Sequence, residues 1–212
     1  MRRFRTPLTT LLLVSITLVF ALEWIRGGTQ ENAVLYRMGA IHPDLFQDGE
    51  YWRLFAAMFL HAGVLHVALN LWALFQIGTI FESMFGPGRF ALTYLLSGLA
   101  ASIASAVLPP HGLSVGASGA IFGIIGALIL AIRRSPHWRN QPWAKGLTQQ
   151  LLFWAGANIV IGFTIPRIDN AAHLGGFIMG LLLGLVPHRV PPPPPGQETI
   201  DAVVTEQSSA AV

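Results

Sequence analysis

The chain has 212 residues, 53% of them hydrophobic and only 11% charged, with a mean hydropathy of +0.56. A soluble domain carries about 25% charged residues, so this composition excludes a soluble globular protein, a disordered chain and a free nucleic-acid binder. The formal charge of +3 is too small to argue for a polyanionic partner, and the absence of cysteine excludes disulfides, thiolate metal sites and a cysteine nucleophile.

A bilayer core about 30 Å thick takes roughly 20 apolar residues of helix, and six such runs follow one another. The first covers about 7–25. No small-residue cleavage site follows it, and Glu23-Trp24 gives it an interfacial end, so it reads as a retained span rather than a signal peptide. Next comes an amphipathic loop over about 27–53, with Tyr36, Met38, Ile41, Leu45, Phe46, Tyr51 and Trp52 among charges; it is expected to lie in the interface. The second span lies within about 54–85, the third over about 90–108 and the fourth over about 113–132. A basic inner loop follows, anchored by Trp138 and Trp143, then a fifth span over about 147–165 and a sixth over about 171–186. The run Pro191 to Pro195 is a stiff spacer, and the polar tail after it is expected to be disordered. The expected organisation is thus a cytoplasmic N-terminus over 1–6, a membrane domain over 7–187 and a Pro-rich cytoplasmic tail over 188–212. No internal repeat is visible, which weighs against a transporter.

Lys and Arg fix the expected orientation. With both termini inside, the inner segments hold Arg2, Arg3, Arg5, Arg89, Arg133, Arg134, Arg139, Lys145 and Arg189. The outer loops hold Arg26, Arg37, Arg53 and Arg167, so nine against four favours N-in, C-in.

Polar groups inside spans are expensive and mark function by default. The second span carries His61, His66, Asn70, Gln76 and Glu82; the fourth carries Ser118, the fifth Asn158, and the sixth His173 just after Asn170. Spans two, four and six all begin on the outer side. Ser118 is expected about five residues into span four, roughly 8 Å below its outer end, and His173 a few residues into span six. Gly119, Gly123 and Gly126 on one helix, with Gly176, Gly180 and Gly184 on the other, form small-residue stripes that let two backbones approach. A serine and a histidine at the mouths of two such helices form an activated nucleophile and its base. No carboxylate is expected at this level, because Glu82 lies far down span two, so the pair is a dyad. Glu82 itself is expected to cap an inner loop or to pair with Arg89. His66 and Asn70, four apart on one helical face, can donate to an oxyanion, together with the N–H of Ser118 at a helix start. Asn70 also suits a plain interhelical tie, and His61 suits either support of the span-two start or a direct part in the site.

At these residues, over about 51–185, the sequence resembles the rhomboid intramembrane serine proteases. The matching pieces are Trp52-Arg53, the run from His61 through His66 to Asn70, Gly78-x-x-x-Glu82-x-x-x-Gly86, Gly116-Ala117-Ser118-Gly119, and Ala172-His173-Leu-Gly-Gly176-x-x-x-Gly180. The resemblance implies an all-α, six-transmembrane-helix bundle of the bacterial type, in a bacterial inner (plasma) membrane. It implies a Ser118–His173 dyad, oxyanion contacts from His66 and Asn70, and supporting roles for Gly116, Gly119 and His61. The loop ahead of span two would be structural and interfacial, set by Trp52-Arg53. Span five and the loop over about 166–170 would gate a substrate helix entering sideways. No metal or cofactor is implied, and the partners are transmembrane protein substrates and the lipid bilayer. Where many members carry Tyr, this chain has Phe122, whose ring can still stack on His173 without the hydroxyl.

Two other readings compete. A non-catalytic rhomboid relative that binds membrane proteins typically lacks the serine or the histidine, and this chain has both. A metal enzyme or transporter using His61, His66 and His173 finds no His-Glu-x-x-His motif and no pair of intramembrane aspartates to support it.

Overall fold

The computed structural model describes residues 6–108, 112–165 and 168–186. Expectations for Arg2, Arg3, Arg5, Pro166, Arg167, Arg189, the proline run and the tail lie outside the described residues. The helices in chain order are α1 (Pro7–Ile25), α2 (Asn32–Met38), α3 (Leu45–Asp48), α4 (Arg53–Ala56), α5 (Val64–Ala73), α6 (Thr79–Phe85), α7 (Pro87–Val107), α8 (Ser118–Arg134), α9 (Pro142–Thr164) and α10 (Asn170–Gly184). A 3₁₀ turn, Ala57–Phe59, follows α4, and a π-helical stretch, Leu74–Gly78, joins α5 to α6. Among the described residues the β pairing is one isolated antiparallel bridge, Ile41 with Ser114. The fold is all-helical, as the sequence predicts.

Three helical segments among the described residues are long and apolar enough to cross a membrane: Pro7–Ile25, Val64–Phe85 and Pro87–Val107. The other three expected spans do not reach that standard. α8 has 17 residues and α10 has 15, so at 1.5 Å per residue they run only about 26 and 22 Å. α9 has the length, with 23 residues, but carries Lys145, Gln149, Gln150 and Asn158. The shortness of α8 has a packing counterpart: 13 of its 17 residues are buried, so its surroundings are protein.

α8 is packed between α7 and α10. The glycine stripes of α8 and α10 meet in register, four residues at a time. A Cβ on Gly176 would lie 2.0 Å from the carbonyl oxygen of Gly119, one on Gly180 would lie 1.9 Å from that of Gly123, and one on Gly184 would lie 2.9 Å from that of Ala127. No side chain fits there, so the two backbones touch. α7 closes on the same crevice: a Cβ on Gly123 would lie 2.0 Å from Ser97 of α7 and 3.0 Å from the Gly176 carbonyl oxygen of α10. Apolar side chains such as Leu11, Leu18, Leu69, Leu92, Val160 and Ile178 are exposed on the outer helices, as lipid-facing residues are.

Glu82 differs from both expectations. Its carboxylate accepts from the backbone N–H groups of Leu8 (3.0 Å) and Thr9 (2.7 Å) and from the Thr9 hydroxyl (2.7 Å). It therefore caps α1, whose first N–H groups have no intrahelical acceptor. Arg89 does not pair with it, and donates instead to the carbonyls of Leu183 and Val186 at the end of α10.

The loop before α5 is partly core and partly surface. Ile41 and Leu45 are buried with Ala57 and Ala106, while Tyr36, Tyr51 and Trp52 stay exposed. Arg53 is buried at its hub. It donates to Glu50 at 2.6 Å and to the carbonyls of Tyr36 and Ala40, and its guanidinium lies over the Tyr36 and Trp52 rings. Arg53 holds the Glu50 carboxyl below the ordinary carboxylate range.

Candidate functional site

Ser118 is the first residue of α8, not the fifth or sixth of a span. Its position is set by the loop ahead of it. Ser114 exchanges two backbone bonds with Ile41 (3.0 Å each), and Gly116 N–H donates to the Ala57 carbonyl at 2.9 Å. Gly116 takes φ +128°, a left-handed geometry that suits glycine, and this turns the chain into the helix. The first helical bond joins Ile121 N–H to the Ala117 carbonyl, so the N–H groups of Ser118, Gly119 and Ala120 precede it.

His173 is the fourth residue of α10 and is 6% exposed. Its Nε2 lies 2.9 Å from Ser118 Oγ. Phe122, one turn after Ser118 on α8, stacks on the imidazole with ring centroids 4.3 Å apart and planes within 4°. The ring is thus clamped flat, with Nε2 at the hydroxyl. For Nε2 to accept the serine proton, the ring's own proton must sit on Nδ1. That atom is buried without a hydrogen-bond partner among the described residues, so no carboxylate completes a triad.

The His66 ring lies on the other side of Gly116. Its Nδ1 accepts from Ala62 N–H at 3.3 Å, which leaves the proton on Nε2. A Cβ built on Gly116 would fall 2.9 Å from His66 Nε2 and 3.8 Å from Ser118 Oγ. The missing side chain keeps open the space between that donor and the hydroxyl. Asn70, 5% exposed, donates from Nδ2 to the His66 carbonyl at 3.0 Å and retains a second N–H. These N–H groups lie on the Ser118 side of α5, where Asn70 and Ser118 line one cavity.

A cavity of about 190 Å³ lies between α5, α8 and α9, lined by Asn70, Trp72, Ser118, Phe122, Trp154 and Asn158 among others. Trp72 and Trp154 meet edge to face across it, with centroids 6.1 Å apart.

The chain matches the family model described as "Rhomboid domain" over residues 48–190. The chain belongs to the rhomboid family. It is 38% identical over 175 residues to "Rhomboid protease GluP" of Bacillus subtilis (82% of this chain, 34% of the relative). It is 41% identical over 156 residues to "RHOMBOID-like protein 1" of Arabidopsis thaliana (73% of this chain, 39% of the relative). It is 35% identical over 143 residues to "Rhomboid-type serine protease 2" of Emericella nidulans (67% of this chain, 28% of the relative). The chain thus spans about a third of the length of these curated relatives. Membership makes this a polytopic integral membrane protein.

Within this rhomboid domain the structure brings Ser118, His173, Phe122, His66, Asn70, Gly116 and Gly119 to one locus. His61 stands one layer back: fully buried, its ring packs edge-on against His66 with centroids 5.1 Å apart. Asn158 lines the same cavity from α9, and its Nδ2 donates to the Trp154 carbonyl of its own helix at 2.8 Å. The His61, His66 and His173 set does not form a metal-holding group; among the described residues the group so spaced is His42, Asp48 and Glu50, where Glu50 is already bonded to Arg53.

Sequence reasoning missed two acids. Asp169 caps α10 by accepting from Ala172 N–H at 2.9 Å, and its other oxygen accepts from Ser114 Oγ at 2.6 Å. One carboxylate therefore ties the loop leading to Ser118 to the helix carrying His173. An Asp just before a helical run is a readable N-cap signal. Glu23 is the second. Beside Trp24 it reads as an interfacial end, yet it is 0% exposed and accepts from His61 N–H at 3.0 Å.

Proposed function

We propose that this rhomboid is an intramembrane serine endopeptidase that cleaves transmembrane segments near the outer membrane face. The observation that carries the reading is the 2.9 Å contact between Ser118 Oγ and His173 Nε2, at the wall of a cavity facing α9. Ser118 attacks the scissile carbonyl while His173 takes its proton. The carbonyl oxygen becomes an anion held by the N–H of Ser118, by His66 Nε2–H and by Asn70. His173 then protonates the leaving amine, and water, activated by the same imidazole, hydrolyses the acyl-enzyme.

Peptide bonds in a transmembrane helix are shielded by their own hydrogen bonds, so the substrate must unwind where it is cut. Small or helix-breaking residues near the outer surface are the expected target. The cavity between α5 and α9 supports sideways entry, with α9 moving to admit the substrate. We further propose six membrane crossings within a domain over 7–187, with both termini on the inner side of a bacterial plasma membrane. The short α8 would cross inside the bundle, where protein rather than lipid surrounds it, and the short α10 would cross with its glycine face against α8. The needed test is cleavage of single-span substrates in liposomes by wild type and by Ser118→Ala. Product from wild type alone is expected; equal product from both overturns the nucleophile.

A further inference from the structure

Glu23 is set in the first helix, far in sequence from every residue the reaction uses. Its carboxyl is fully buried. Taking a carboxylate out of water is costly unless its oxygens are bonded, and here one oxygen is bonded while Oε2 has no partner. An interfacial position two residues from the end of α1 would have spared this cost by facing outward. What the carboxyl gains by facing inward is the backbone N–H of His61.

That bond holds a turn. Leu60 is extended, Gly63 N–H donates back to the His61 carbonyl at 3.0 Å, and Gly63 takes φ +105°. Between them, Ala62 presents its N–H to His66 Nδ1. This bond decides which nitrogen of His66 carries the proton, and so whether Nε2 can donate toward the space beside Ser118. The His61 ring, braced by donating from Nδ1 to the Phe59 carbonyl at 3.2 Å, packs on the edge of His66 and sets its tilt.

Resting on the proposed proteolytic reading, we infer that Glu23 is a positioning residue for the oxyanion donor: its carboxyl pins the 61–63 turn, and the turn fixes the tautomer and aim of His66. The first helix thereby takes part in the reaction without touching substrate.

The test is a double-mutant cycle on the full chain in liposomes, measuring kcat and KM with a single-span substrate. Glu23→Leu is expected to lower kcat about tenfold or more with KM within about twofold, since a displaced donor forfeits part of the 10²–10³-fold that such a donor supplies. Glu23→Gln keeps an oxygen acceptor of the same reach and is expected to restore kcat to within about threefold. In a His66→Ala background, Glu23→Leu is expected to cost nothing more. Should Glu23→Leu fail to fold, Glu23→Asp, one methylene too short to reach His61 N–H, carries the same expectation. A full-strength effect of Glu23→Leu or Glu23→Asp on top of His66→Ala overturns the inference, as does an unchanged kcat or a failure of Glu23→Gln to rescue. Ser118→Ala in the same assay separates the two readings: if it cleaves, the proteolytic reading fails; if it is dead while the Glu23 variants behave as wild type, only the Glu23 inference fails.

Discussion

The α8–α10 seam and the α9 flank treat glycine in opposite ways. Along the seam, an added methyl on Gly180 would fall 1.9 Å from a carbonyl oxygen of the neighbouring helix; on α9, one on Gly156 or Gly146 would meet nothing within 4 Å, and one on Gly162 would meet the Asn170 side chain rather than a backbone. The first two-thirds of α9 buries Ala144, Thr148, Leu151 and Ala155, but beyond them Val160, Ile161 and Phe163 stay exposed. A polar tie holds this C-terminal end, from Asn170 Nδ2 to the Ile159 carbonyl at 3.1 Å. The two residues that must stay in register to within tenths of an ångström are therefore carried by touching backbones. The helix proposed to move out of a substrate's way is held at that end by one side chain, Asn170, packed against Gly162 and bonded to Ile159, rather than by touching backbones.

The comparison can be broken most severely at its rigid side. Ser118→Ala or His173→Ala is expected to abolish cleavage, a loss of roughly 10⁶-fold if the pair acts as a unit. Labelling by a fluorophosphonate, read on a gel, checks the same point: wild type labels at Ser118 and His173→Ala does not. Strong labelling of His173→Ala would remove the imidazole as base. His66→Ala is expected to lower kcat by about 10²–10³ with little change in KM, because the donor acts on charge that exists only in the transition state.

Glycine substitutions test packing directly. Gly180→Ala should destabilise by about 3 kcal/mol, seen as a lower midpoint in thermal unfolding in detergent. The same exchange at Gly156 should leave stability unchanged or raise it by up to about 1 kcal/mol. Equal effects at the two sites would erase the distinction between seam and flank. The smallest effect concerns the outer loop. Arg53 holds the Glu50 carboxyl below its ordinary range, so this pair stabilises fully above that range. It loses its contribution as pH falls through the range toward the depressed value. Glu50→Gln should flatten the fall in melting temperature between pH 7 and about pH 3.

Much of the seam was legible in the sequence, because small residues at i, i+4 and i+8 specify a face that admits another backbone. The bounds of α1 were legible too, since a proline start and an unbroken apolar run leave little choice. The Ser118–His173 meeting needed two helices at matched depth, and the stripes supplied a reason for their approach. What was not legible depends on partners far apart in the chain. Ser118 is placed by a loop bonded to Ile41 and Ala57, which no local pattern around Ser118 encodes. Glu82 looks like a partner for nearby Arg89, yet its bonds go to residues 73 and 74 positions earlier. Glu23 beside Trp24 carries the pattern of a water-facing helix end, and only its neighbour across 38 positions reverses that. The π-helical stretch within 64–85 has no simple composition signal either.

The cap that Glu82 places on α1 has a consequence in time. Thr9 leaves the ribosome 73 residues before its acceptor. At about 5–20 residues per second, that is a wait of roughly 4 to 15 s. Throughout it, the leading rod sits with bare amides at its first turn. Seating of the first rod is thus deferred until the next one arrives, and a nascent chain arrested between them should be the stage most open to quality-control proteases.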